Sequence, residues 1–249
     1  MTDRVNTFLQ IYQNYRYYKK RKIPYPLWDQ TRLQVKNWAT NPHHPQHEIV
    51  IARYRENPHW SSNYRSIRTI YNKYHHTGSE YRHYPGPVLP NVGRESHTYL
   101  THIVERWNTL RDFTFFTQAE LDPRHQPYPV ETYLLSEDFI CNPTMTGVNF
   151  RDQPGGFIRH DNKWLEDYHD GFIRPAKLSL EQWWKEYLGL AVPDWKKLVW
   201  SHGAIFSVSR AKIQKYDRSY YNRLLSTISD HSNPEEGHYF ERAWYSMFS

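Results

Sequence analysis

Apolar residues fall along this chain in two rhythms, and each predicts a different element. Glu48-Ile49-Val50-Ile51-Ala52-Arg53-Tyr54 is a short, nearly continuous apolar run closing in polar residues, the pattern of a strand buried on both faces. Shorter runs predict strands over 66–71, closing at Asn72-Lys73, over 113–117, and around Gly203-Ala204-Ile205-Phe206-Ser207-Val208-Ser209. Between them Tyr99, Leu100, Ile103, Val104, Trp107 and Leu110 recur at steps of three and four, one apolar face of a helix starting near Asn91 after a loop over 85–90. Trp183, Trp184 and Tyr187 anchor a helix over 180–188, and two more are expected near 219–229 and 234–248. The stretch 123–175 is loop-rich and yields no clear element. Strand–helix–strand alternation of this kind predicts an α/β domain with helices covering a mostly parallel sheet. Residues 1–46 read as a helical extension, with a helix over 5–21 and an Asn-Pro-His-His-Pro linker over 41–45. Residues 47–249 then form the main domain.

Composition narrows the class. Aromatic residues make up 17% of the 249, which argues for a packed core and against a disordered tail. No apolar run approaches the ~20 residues of a membrane helix, and Met1 to Gln10 carries no signal-peptide apolar region, so a cytoplasmic location is expected. The single cysteine, Cys141, excludes an internal disulfide and a cysteine-rich zinc site. Fifteen histidines invite a metal site, but the adjacent pairs His43-His44 and His75-His76 point to different faces of any regular element and chelate poorly. The net charge of +6 favours anionic partners. Part of it sits in residues 15–22, where basic and aromatic side chains interleave. That pattern suits either a solvated helix face or a strip that holds phosphates and stacks bases. A nucleic-acid-binding protein is therefore the alternative function class.

Walker loop, G-x-G-x-x-G, H-E-x-x-H and G-x-S-x-G are all missing, which removes the simplest nucleotide-fold, zinc-protease and serine-hydrolase readings. The informative stretch is Leu89-Pro90-Asn91-Val92-Gly93-Arg94-Glu95-Ser96-His97-Thr98-Tyr99-Leu100. Gly93 permits tight backbone geometry before a helix, the helix start offers free amides to an anion, and Arg94 can grip a phosphate or carboxylate.

Taken with Ile51-Ala52-Arg53-Tyr54, Tyr71-Asn72-Lys73, Phe115-Phe116-Thr117-Gln118, Gly203-Ala204, Phe206-Ser207-Val208-Ser209, Glu241-Arg242 and Trp244, this stretch resembles a domain-of-unknown-function family of fungi and large algal viruses. Members from chlorella viruses resemble glycosyltransferases that build capsid N-glycans, including xylosyl transfer from UDP-xylose. The resemblance implies a GT-A fold, an α/β nucleotide-diphosphosugar sandwich, with a UDP-sugar donor, an oligosaccharide acceptor and no nucleic acid. It places the donor nucleotide against Ala52, Arg53, Tyr54, Glu56, Asn72, Lys73, Asn91, Gly93, Arg94, Gln118, His202 and Gly203. Where a GT-A chain would carry its D-x-D metal motif, this chain reads Gln118-Ala119-Glu120-Leu121-Asp122. Glu120 and Asp122 offer oxygen to Mn²⁺ or Mg²⁺; alternatively, basic residues neutralise the diphosphate without a metal. An inverting transfer also needs a base late in the chain, where Glu241 and Glu236 are the candidates. Asn233-Pro234-Glu235-Glu236 equally reads as a capping box, and Glu241 equally as an ion pair with a neighbouring Arg. Glu241 is preferred because it falls on the edge of the apolar face formed by Tyr239, Phe240, Ala243, Trp244, Met247 and Phe248.

Overall fold

A computed structural model of the chain describes residues 46–74, 84–122, 125, 126, 128, 130–134, 138–145, 147–149 and 151–249. The expected helical extension lies outside these residues apart from Gln46. So do the basic strip 15–22 and the pairs His43-His44 and His75-His76.

Strand β1 (His47–Arg53) is an interior strand of the sheet. Its neighbours are β2 (Arg68–Asn72) on one side and, after helix α1 (Arg94–Glu105), β3 (Phe113–Gln118) on the other. Both pairings are parallel, with Ala52 level with Tyr71 and with Gln118. Short helix α2 (Val130–Leu134) precedes β4 (Phe139–Met145). Helix α3 (Asn162–His169) and helix α4 (Leu180–Trp183), which continues as a π turn over Trp184–Leu188, follow. Then come β5 (Val199–Ser209), α5 (Arg210–Ile213), α6 (Arg218–Ser226) and α7 (Glu235–Phe248). The sheet order is β2-β1-β3-β5-β4.

Two expectations need correction. The sheet is mixed rather than mostly parallel, because β5 runs against both β3 and β4. The stretch thought to be loop also contains β4, an edge strand whose Asn142-Pro143 breaks any alternation. Proline is tolerated there because an edge position and a register slip both relieve it of ladder hydrogen bonds, and the pairing slips between Cys141 and Pro143. Helix α1 ends at Glu105, earlier than its apolar periodicity suggests, yet Leu110 stays in the core and Trp107 packs against it.

The pleat of β1 sorts its side chains into two cores. Ile49 and Ile51 join Ile70, Phe115, Tyr133 and Leu134 on one face. Val50 and Ala52 join the larger core on the other, which α1, α7 and the Trp183-Trp184 pair cover. Phe206 of β5 sits at its centre, with ring centroids 5.3 Å from Phe116, 5.2 Å from Trp244 and 5.6 Å from Phe248. These are favourable tilted aromatic separations, and each buried ring adds roughly 1.5–3 kcal/mol.

The start of α7 does not form the expected capping box. Its cap position is Pro234, with no side-chain cap bond. Glu235 is instead fully buried and accepts from the amides of Ala176 at 2.7 Å, Phe157 at 2.8 Å and Gly155 at 3.1 Å. Burial pushes its carboxyl up, against the opposing pull of those amides. Glu236 takes the Arg174 guanidinium on both oxygens, at 3.0 and 3.4 Å. Together the two acids clip the 151–176 segment to α7.

Replacing Glu235 by Ala strands three buried amides. Urea denaturation should show a loss on the order of 3–5 kcal/mol, with Glu235→Gln intermediate because it keeps one acceptor oxygen. Wild-type stability in Glu235→Ala would show that the clip contributes nothing.

Candidate functional site

After β1 the chain leaves for β2 on one side, then returns through α1 to β3 on the other. Loops leaving the carboxyl ends of β1 and β3 therefore diverge, and a crevice opens at this reversal of strand order. A cleft of about 290 Å³ lies there. Ala52, Arg53, Tyr54 and Glu56 line it from the end of β1, and Lys73 from beyond β2. Asn91, Arg94 and Glu95 come from the turn into α1, Gln118 and Glu120 from the end of β3, and Ser232 from the loop before α7. A larger hollow of about 640 Å³ lies at the opposite end of the strands, among Glu48, Arg106, Asp112 and Arg210. Arg210 is paired there with Asp112 at 2.6 Å. Strand carboxyl ends and the expected residues meet only in the smaller cleft, so chemistry outweighs volume in choosing between them.

Arg53 is held from two sides, by Asn72 Oδ1 at 2.9 Å and the Glu56 carbonyl at 2.9 Å, with Tyr84 beneath its guanidinium. Asn72 is buried and also donates to the Tyr84 carbonyl, so it positions Arg53 rather than lining the cleft. Lys73 reaches under the turn into α1, where its ammonium donates to the carbonyls of Val92 and Arg94. Burial first, and then Arg94, bring its pKa down to about 7, while Glu95 opposes them.

Gly93 has φ 60, and a Cβ there would lie 2.6 Å from the Ile228 carbonyl and 2.7 Å from His97 Cβ. Its amide donates to His231 O at 2.8 Å and that of Arg94 to Ser232 O at 3.4 Å. The expectation of free helix-start amides therefore does not hold for these two. What the turn presents is the Arg94 side chain, one-third exposed, leaving a left-handed residue with φ 52.

On the β3 side Gln118 Nε2 donates to the Gly203 carbonyl at 2.9 Å, and the Gly203 amide donates to Glu241 Oε1 at 2.7 Å. Gly203 and Ala204 are both left-handed, with φ 72 and φ 53, inside an irregular stretch of β5 facing the Cys141–Pro143 slip. A Cβ on Gly203 would lie 2.6 Å from His125 Cβ. His202 packs edge-on to His125 at 4.8 Å and Trp200 at 5.0 Å, and burial lowers its pKa. His202, Gly203 and Glu241 thus stand behind Gln118, outside the cleft lining. Arg242 pairs with the other Glu241 oxygen and lies over the Trp200 ring at 4.3 Å, so the ion pair expected as the structural alternative is present.

Of the two expected metal ligands, Glu120 lines the cleft and makes no hydrogen bond or ion pair among the described residues. Asp122 lies instead within electrostatic reach of His202. Among the described residues no three of His, Cys, Asp and Glu converge as a metal site. Glu236 is bound by Arg174 and is not part of the lining. Sequence reasoning missed Glu95, which adjoins a named residue, and Ser232. No local pattern marks Ser232, since the Gly93-to-His231 hydrogen bond brings its loop in from far along the chain.

His97, nearly buried one turn into α1, has its pKa lowered to about 4 by burial and by the nearby Lys73 charge. The folded value lies below the ordinary 6.5, so between 6.5 and about 4 the unfolded chain binds the proton more readily. Tm should fall as pH drops through that window, and the fall should be shallower in His97→Gln. Equal slopes in the two proteins would remove this role.

Among the described residues no helix is long and apolar enough to cross a membrane. No curated protein and no solved structure matches the chain. A family does match, over residues 49–249, almost the whole stretch from β1 to the end of α7. The chain belongs to that family, described as "Protein of unknown function (DUF3431)".

Proposed function

We propose that this chain is a GT-A-type glycosyltransferase that moves a sugar from a UDP-sugar to a glycan acceptor with inversion. One observation carries the reading. Segments far apart in sequence, each expected to touch a donor nucleotide, meet in one cleft at the carboxyl ends of β1 and β3. Open α/β sheets bind their ligands at such a reversal of strand order. The chemistry suits a diphosphate, because the Arg53 and Arg94 guanidinium groups bring positive charge to the cleft. The resemblance puts UDP-xylose first among donors and a capsid N-glycan first among acceptors.

In a single displacement the acceptor hydroxyl oxygen attacks the anomeric carbon and loses its proton to a carboxylate. The bond from that carbon to the phosphate oxygen breaks, and the electron pair leaves on UDP. Arg94 meets the charge that grows there, the place where a fixed cation lowers the barrier most. Glu241 is the base of this reading; it stands behind Gln118 with its oxygens on the Gly203 amide and on Arg242, so it takes the hydroxyl proton only once the Arg242 pair opens toward a bound acceptor. A Mn²⁺ or Mg²⁺ ion carried in with the donor would find its protein oxygen at Glu120, with phosphates supplying most of the remaining ligands.

UDP and UDP-sugars should raise Tm, and Arg94→Ala should weaken UDP binding at least ~10-fold in calorimetry while the protein stays folded. Unchanged UDP affinity in that variant would end the assignment. Glu241→Gln should keep UDP affinity but lose at least ~100-fold in transfer, the loss expected when a general base is removed. Near-normal turnover there would remove Glu241 as the base.

A further inference from the structure

Behind Arg94 the tertiary structure builds a holder that the surrounding motif does not contain. The side chain runs from the turn before α1 to the first turn of α7. There Nη1 donates to Asn233 Oδ1 at 3.2 Å and lies 3.4 Å from His238 Nε2. Gly237 lets it pass, because a Cβ at that position would stand 3.2 Å from Arg94 Cδ. His238 is itself fixed, stacked on Phe157 at 4.1 Å and edge-on to Trp164 at 4.7 Å. The Phe157 amide is one of the three that Glu235 holds.

Burial, with Arg94 and Arg242 adding to it, keeps the His238 imidazole well below its ordinary pKa. A neutral ring does not repel the guanidinium, and in the tautomer with its proton on Nδ1 the Nε2 atom, 3.4 Å from Arg94 Nη1, accepts a hydrogen bond. Both acceptors on Nη1 are uncharged. Among the described residues the one acid paired with Arg94 is Glu95, which approaches the other side, 3.6 Å from Nε. Nη2 has no hydrogen-bond partner among the described residues, and the residue lines the cleft. Neutral acceptors orient a cation without cancelling its charge, whereas a carboxylate in the same place would compete with an incoming anion.

We infer that Asn233, Gly237 and His238 are positioning residues, a neutral cradle that aims Arg94 Nη2 at an anionic group in the cleft. This rests on the donor-site reading above, which makes that group the UDP diphosphate. The cradle couples the end of the chain to the donor site, so helix α7 serves the nucleotide as well as the core.

Calorimetry of the full chain with UDP and with uridine separates this role from simple support of the fold. His238→Leu removes an acceptor and should weaken UDP about 3–10-fold while leaving uridine unchanged. His238→Gln, whose amide oxygen can replace Nε2, should stay near wild type. Asn233→Asp keeps the shape and strengthens the hold on Arg94, yet should also weaken UDP about 3–10-fold, because the new charge competes for the guanidinium. With Arg94→Ala already present, none of these changes should weaken UDP further. If His238→Leu and Asn233→Asp bind UDP like wild type while Arg94→Ala does not, the cradle is overturned and the donor site stands. Parallel loss of UDP and uridine affinity would reduce these residues to fold support and overturn the inference too. Unchanged UDP affinity in Arg94→Ala would instead remove the donor-site reading, and the cradle with it. Should His238→Leu fail to fold, the isosteric Asn233→Asp decides the matter alone.

Discussion

The packing of α7 on β5, centred on Phe206 and Trp244 with ring centroids 5.2 Å apart, is the contact on which the rest of the structure depends. Phe206 also meets Tyr99 of α1 and Phe116 of β3, so one aromatic cluster ties the last helix to the central parallel strands. Because this stripe is buried, the polar positions of α7 have fixed places to reach. Glu235 and Glu236 clip the 151–176 segment, His238 meets Arg94, and Glu241 holds the Gly203 amide. A helix anchored by apolar burial thereby sets polar geometry on three sides of itself.

Two irregular pieces of backbone complete the cleft, and each has a packing reason. The Gly93-Arg94 turn is held by the Lys73 ammonium on its carbonyls and by the carbonyls of His231 and Ser232 on its amides. The left-handed Gly203-Ala204 step in β5 sets the Gly203 carbonyl against Gln118 and its amide against Glu241. Non-glycine residues at positive φ store strain that the surroundings must offset. Here Arg94 and Ala204, the two such residues among those described, both adjoin the proposed donor site. Lys73 adds a second cost, a buried ammonium whose charged form is disfavoured by desolvation. Structures that keep such costs in one place commonly do so for function, which agrees with the proposed role of the cleft.

The strands 48–54, 66–71 and 113–117 and the helices after Asn91 and Pro234 were readable in the sequence, each within a few residues of its observed bounds. They were readable because burial on a regular element imposes a period of two or of three to four, and period is local information. Strand β4 was not, because an edge strand interrupted by Asn142-Pro143 carries no period. The reversal of β5 was equally hidden, since a strand's residues read alike in either direction.

Of the candidate site, local sequence determined the residue types and their order: a basic and polar set after β1, a Gly-Arg turn before α1, and acids after β3. It also determined that a left-handed turn would need Gly93, a requirement of backbone geometry alone. Tertiary structure decided which of these residues share a cleft. It set Arg53, Lys73, Arg94 and Glu120 on the lining, and Asn72, His202 and Gly203 behind it. It also turned the apparent capping acids Glu235 and Glu236 into buried clips and brought Asn233 and His238 to Arg94. The physical reason is range. Periodicity and turn geometry act over a few residues, whereas a guanidinium reaching acceptors 139 and 144 residues away is fixed only once both cores have packed.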